Sequence, residues 1–329
     1  MRKSRSKKMI MGPKEWLRDM RENFHRYFPG PLVGIPKYGL GATQVYPLGQ
    51  NLYPALEQAT KILFSDLDIT NETPVASIGT CFAEEFSGFM KNSGGHYLQM
   101  EANVFNASAK WGRVYTIPNL KQIVTYSLSQ FPADLEMDDG KYLDPLREKS
   151  IGYFPSAKVG HEEIAIHRAN SRKVFETAEV LVMTLGQNEA WSDSKLNIVW
   201  GSIPPTRLRE QNPDRFKPVI FDYKTCVEQL KDTISLLRSK NPSLKIILTV
   251  SPVAAYATFS STDVITQSME GKSILRSVVG EVGRELENVY YFPSYEMVMC
   301  NNPHTFNADN RHVKRGTVAH IFSLLSNVI

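Results

Sequence analysis

Two runs of apolar residues dominate the hydropathy pattern of this chain, Glu179-Val-Leu-Val-Met-Thr-Leu185 and Leu244-Lys-Ile-Ile-Leu-Thr-Val250. Neither alternates polar with apolar positions, so each predicts a strand covered on both faces, as in parallel sheets. Shorter strands are expected at 75–78 and 289–292, with a further candidate at 97–101. Between them the apolar spacing switches to three and four residues, which predicts helices over 82–91, 119–130, 168–177, 223–240, 264–286 and 313–328. The helix over 223–240 is the clearest, with Val227, Leu230, Ile234 and Leu237 on one face and Asn241-Pro242 at its end. Residues 134–166 read as an irregular insertion with short strands, and 192–221 as a loop-rich excursion containing Pro204-Pro205. Strands alternating with helices imply a mostly parallel sheet with right-handed crossovers, hence a three-layer α/β/α sandwich. Residues 1–70 are less regular, with helices expected over 14–27 and 54–64 and a Gly-, Pro- and aromatic-rich segment over 29–49. They are expected to form an N-terminal extension wrapping the core of a domain at 71–329.

Composition narrows the function classes. The 329 residues are 42% hydrophobic and 22% charged, ordinary values for a soluble globular protein. The formal charge is +4, but residues 1–26 hold nine Lys/Arg against three Asp/Glu, which leaves the remainder at −2. No basic stripe recurs later, which argues against nucleic acid as a partner. The basic start offers at most a contact with an anionic surface. No run approaches the roughly 18–20 apolar residues of a membrane span, and Met9-Ile-Met11 is too short for a signal-peptide core. Three widely spaced cysteines make neither a metal-ligand pattern nor a disulfide framework, so a cytoplasmic location, no metal and no cofactor are expected.

Ligands of a parallel sheet bind beyond the carboxyl ends of its strands. The residues that follow the expected strands are Gly79-Thr80-Cys81, then Gly186-Gln187-Asn188-Glu189, Ser251-Pro252 and Pro293-Ser294-Tyr295. Cys81 would open a helix, where the free N–H groups favour a thiolate. Asp309 and His312, three residues apart at the start of the last helix, can bond across one turn. A carboxylate on one imidazole nitrogen fixes the tautomer and leaves the other nitrogen free as a base. Asn188 can donate to an oxyanion. These are the parts of acyl-transfer chemistry. Each also has a plain structural reading: Cys81 as a small buried residue, Asp309 as a helix N-cap, Asn188 as a loop cap. Thr80 competes with Cys81 as nucleophile, its other role being to shape the turn. His304 lies close enough in sequence to compete as base but has no acid three residues before it. The remaining histidines, with Cys226 and Cys300, read as core or surface residues.

The segment Ile78-Gly-Thr-Cys-Phe-Ala83 resembles the signature of the GSCFA family, with Thr80 in place of its usual serine. Six further blocks are similar to that family's: Trp111-Gly-Arg-Val-Tyr-Thr116, Thr184-Leu-Gly-Gln-Asn-Glu-Ala-Trp191, Leu248-Thr-Val-Ser-Pro-Val253, Lys272-Ser-Ile-Leu-Arg276, Tyr291-Phe-Pro-Ser-Tyr-Glu296 and Asp309-Asn-Arg-His-Val313. The resemblance implies a relation to SGNH (GDSL-like) hydrolases, with their flavodoxin-like fold. It puts Cys81 on the nucleophile's position, Asn188 on the oxyanion asparagine, Asp309 and His312 on the last block, and Gly112 on the second-block glycine. A thiol replaces the hydroxyl of those enzymes, and Thr80 replaces the aspartate before it. Gly186, Glu189, Trp191, Arg113 and Tyr115 are expected to line the pocket or to serve packing and ion pairing. The implied activity is hydrolysis of acyl esters on a small molecule or carbohydrate such as a surface polysaccharide. O-acyl transfer from an acyl-CoA or other donor, and non-catalytic carbohydrate binding or assembly, are the alternatives.

Overall fold

The computed structural model describes residues 52–65, 67, 69–102, 107–129, 135–300 and 305–326. The expected helix over 14–27 and the segment over 29–49 lie outside the described residues, as does His304. The chain divides into two compact units, Met1–Ala59 and Thr60–Ile329, with helix α1 (Leu52–Leu63) running across the division. Everything below belongs to the second unit.

Strand β1 (Val75–Gly79) is buried at every position and turns directly into α2 (Cys81–Ser93). Gly94, left-handed at φ 80°, ends that helix with its N–H on the Met90 carbonyl. The expected strand over 97–101 reduces to one parallel bridge, Val75 with Tyr97, because the chain leaves the sheet edge after Leu98 N–H reaches the Val75 carbonyl. Thr116 caps α3 (Ile117–Leu128). The insertion that follows holds a hairpin, β2 (Glu136–Asp138) with β3 (Lys141–Leu143). It is shorter than expected, since α4 (Ala157–Thr177) begins eleven residues before the expected start at 168. The Ser156 hydroxyl accepts from Val159 N–H there, and the early turns are polar enough to hide their helical period.

After β4 (Val180–Leu185) the chain departs from the expected loops. The supposed loop-rich excursion is a three-stranded antiparallel sheet of β5 (Glu189–Asp193), β6 (Ile198–Val199) and β7 (Phe216–Ile220), with a short α5 (Thr206–Gln211) between the last two. Its strands are too short and too exposed to show alternation. A buried carboxylate holds it together instead. Asp193 accepts from Arg215 at 2.6 and 2.8 Å, from Trp200 Nε1 at 3.1 Å and from two backbone N–H groups. These bonds keep its carboxyl below the ordinary aspartate range against the opposing cost of burial.

The chain finishes with α6 (Tyr223–Arg238), β8 (Lys245–Val250), α7 (Val264–Glu285), β9 (Val289–Tyr291), α8 (Ser294–Met299) and α9 (Arg315–Ser326). The main sheet is parallel throughout, in the order β1-β4-β8-β9, with the Tyr97 bridge outside β1. Counting that bridge, the order is the flavodoxin-like 2-1-3-4-5, whose direction of winding reverses at β1 and β4. Helices α3, α6 and α7 close the main apolar core on one face. On the other, α2 packs against α9 through Phe82, Phe86 and Phe89 gathered around Phe322. The fold is therefore the expected α/β/α sandwich, and its switch point lies where β1 ends beside β4. Among the described residues no helix is long and apolar enough to cross a membrane.

Candidate active site

Gly79 makes the switch-point turn possible. Its φ of +140° and the 2.2 Å that would separate an added Cβ from the Thr184 carbonyl oxygen leave room for no side chain. With β1 pressed onto β4 in this way, Thr80 N–H donates to Thr184 Oγ1 at 2.7 Å, and the two threonine hydroxyls lie 3.0 Å apart. Thr80 Oγ1 also accepts from Phe82 N–H, which makes it the N-cap of α2. The hydroxyl that competed for the role of nucleophile is thus committed to the turn. Thr80→Val should lower stability by about 1–2 kcal/mol in urea unfolding, and Thr80→Ser by much less, because serine keeps the cap.

Cys81 follows as the first residue of α2, half-buried on the wall of a cavity of about 1000 Å³. The same cavity is lined by Arg113, Tyr115, Gly186, Gln187, Glu189, Trp191, Ser251 and His312. Three strand ends and the segment before α9 therefore converge where sheet topology places a ligand. The thiol does not behave as its helix position alone suggests. Burial pushes its pKa up, with Glu84 and Glu85 adding to the rise, while Arg113 and Lys272 oppose it. Burial thus works against the preference for thiolate expected at a helix start.

His312 stands on this cavity with its Nδ1 bonded to Asp309 Oδ2 at 2.5 Å. Asp309 Oδ1 accepts two N–H groups, from Arg311 and from His312 itself, and together these bonds hold its carboxyl far below the ordinary range. The carboxylate thus fixes the proton on Nδ1 and leaves Nε2 free. Asp309 is both dyad partner and local cap, so the two readings of this residue describe one geometry. Arg311 braces the segment, donating to the Ala254 carbonyl and lying 5.1 Å from the centre of the Tyr256 ring.

Two expected residues fall elsewhere. Asn188 is buried, but its amide donates to the Phe221 carbonyl at 3.1 Å and packs on Gly271, where an added Cβ would come 2.5 Å from Asn188 Oδ1. It pins the start of β5 to the strand end at Phe221, and it does not line the cavity. Gly112, left-handed at φ 74°, packs on Glu148 and Ile151 and is likewise off the cavity wall. The residue before Asn188, Gln187, is the one on the cavity wall. The resemblance points to Asn188, and nothing in the local sequence separates two adjacent amides.

The remaining lining residues have definite partners. Arg113 pairs with Glu84 and Glu148, each at 3.5 Å. The Tyr115 carbonyl accepts from Gly186 and Gln187 N–H, and burial pushes its phenol up to about 12. Glu189 accepts from Thr258 Oγ1 and Phe259 N–H, both at 2.6 Å, which ties the segment after β8 across the cavity mouth. Trp191 meets Phe259 edge-on at 4.8 Å with the Arg209 guanidinium over its ring. Trp191 Nε1 and Asn119 Oδ1, on residues that line the cavity, are buried with no hydrogen-bond partner among the described residues. Such groups are usually satisfied by solvent or ligand.

The model of the GSCFA family matches residues 74–324. No curated protein matches. Among solved structures, a Corynascus thermopiles (Myceliophthora fergusii) carbohydrate esterase family 2 enzyme with a carbohydrate-binding domain is similar at 11% identity and a TM-score of 0.35. The match covers 78% of this chain and 64% of that one, a likeness too loose to bear on activity.

Proposed function

The chain belongs to the GSCFA family, and from that premise and the geometry of its cavity we propose that it is an ester hydrolase working through an acyl-cysteine intermediate. The observation that carries this reading is that Cys81 and His312 line the same cavity, the imidazole already oriented by Asp309. Cys81 Sγ attacks the ester carbonyl carbon and its proton passes to His312 Nε2. The carbonyl oxygen gains the negative charge, and the C–O bond to the alcohol breaks as Nε2 returns the proton to the leaving oxygen. A water molecule, deprotonated by the same nitrogen, then cleaves the thioester and restores the thiol.

The oxyanion needs two donors. One is the Cys81 backbone N–H at the open end of α2, where helical N–H groups have no intrahelical acceptor. The other is the Gln187 amide, which takes the place expected of Asn188. Gln187→Ala should lower kcat by about 10²-fold with little change in KM, as for loss of an oxyanion donor. Steady-state kinetics on an aryl acetate checks this. Asn188→Ala, by contrast, should act through stability.

The cavity suits an acylated carbohydrate. Its size falls at the upper end of small-molecule pockets. Tyr153, Trp191, Trp200, Tyr256 and Phe259 give it flat apolar faces. A volume that admits an acceptor beside the acyl group, together with a thiol suited to thioester exchange, favours O-acyl transfer as the second reading. Release of alcohol from aryl acetates, and acetyl transfer from acetyl-CoA to a sugar hydroxyl, measured on the same preparation, separate the two.

A further inference from the structure

Tyr256 is the most exposed large apolar side chain among the described residues, at 82%, and it lines the cavity. It sits between β8 and α7 on a segment without helix or strand, yet that segment is tied down on both sides of it. Ala255 N–H donates to Ser268 Oγ at 3.2 Å, and Thr258 Oγ1 and Phe259 N–H donate to Glu189. Arg311 adds a third tie. Its guanidinium donates twice to the Ala254 carbonyl, at 3.1 and 3.3 Å, and lies over the Tyr256 ring, 5.1 Å from its centre. A lone exposed aromatic on a surface needs no explanation. This one stands on a cavity wall, with one face backed by a braced cation and the other left open.

We infer that Tyr256 is a stacking platform for a sugar ring on the alcohol side of the scissile ester, with Arg311 as the residue that positions it. The inference rests on the ester-hydrolase reading above. In that reaction His312 Nε2 returns the proton to the leaving oxygen, so the alcohol lies on the His312 side of the cavity. Arg311 directly precedes His312, both line the cavity, and Arg311 holds the Tyr256 ring. A ring fixed before binding loses little freedom when a ligand settles on it, so the contact is gained at small entropic cost. A pyranose lays its C–H face on such a ring and turns its hydroxyls to the edge. There the guanidinium, which holds only the Ala254 carbonyl among the described residues, has N–H groups to spare. A nucleobase would stack equally well, but the leaving group is an alcohol, which a sugar supplies and a nucleobase does not.

The test compares two acetates that differ only in the alcohol, 6-O-acetylglucose and ethyl acetate. Tyr256→Ala should lower the ratio of kcat/KM for the first over the second by about tenfold, with most of the change in KM. Tyr256→Trp, which keeps a flat ring, should keep the ratio. Arg311→Gln should lower the same ratio by about threefold. If Arg311 served only to brace the His312 segment, both substrates would suffer alike, and an unmoved ratio would refute its part in the platform. A folded Tyr256→Ala with the wild-type ratio would overturn the inference and leave the hydrolase standing. If neither acetate is turned over, the ring NMR signals of Tyr256 decide, titrated with methyl β-glucoside and separately with adenosine. Shifts with the glucoside would uphold the platform and contradict only the proposed reaction. No shift, or shifts with adenosine alone, would overturn the platform for sugar.

Discussion

Cys81→Ala is expected to lower hydrolysis of an aryl acetate by about 10³-fold or more, while the thermal midpoint stays close to that of the wild type. The size follows from the mechanism, since without Sγ there is no covalent intermediate, and only the oxyanion donors and the binding cavity remain. The small effect on folding follows from the position. Cys81 is half-buried on a cavity wall, so truncation removes little packing that water cannot replace. Thr80→Ser provides the contrast. It preserves both the cap and the contact with Thr184, and activity within about threefold of wild type is expected. If Cys81→Ala retains activity and a folded Thr80→Ala loses it, the nucleophile has been misassigned.

His312→Ala should cost a comparable factor, about 10³-fold in kcat/KM, at the upper part of the range for removing a general base. Asp309→Asn should cost about 10²-fold, because an amide in that place no longer holds the imidazole in the tautomer that frees Nε2. Neither change should move stability much. Both side chains are about half exposed, and ion pairs in that setting contribute little to folding. The pH dependence separates the roles. Asp309 is held below the ordinary carboxylate range, so it remains an anion throughout the working range and adds no limb to the profile. Cys81 is displaced the other way, so the rate of its alkylation should climb with pH from neutral upward. Circular dichroism melts run beside the kinetics distinguish these effects from unfolding. An unfolded Asp309→Asn would show that the bond serves the fold.

The parts of the fold that could be read from sequence are those where one physical demand acts alone. Strands β4 and β8 are buried on both faces, which leaves an uninterrupted apolar run in the sequence. Helices α6 and α7 carry an apolar stripe behind an aspartate cap. The antiparallel sheet of β5, β6 and β7 escaped detection because a buried Asp193–Arg215 pair and tryptophan packing hold it together rather than alternating apolar positions. The first turns of α4 escaped because they are mostly solvated.

The site shows the same division. Cys81, Asp309 and His312 follow from strand ends and from a three-residue spacing, and the family blocks reinforce them. The choice between Gln187 and Asn188 depends on which way a turn points two residues past a strand, and local sequence does not encode that.

The central claim is that acyl groups pass through the Cys81 sulfur. The most direct measurement is fragment-resolved mass spectrometry of protein quenched in acid shortly after mixing with an activated acetate ester. The account predicts one acetyl group on Cys81, released by neutral hydroxylamine as a thioester is. Acetylation of Thr80 resistant to hydroxylamine, or steady turnover with Cys81 never labelled, would contradict it.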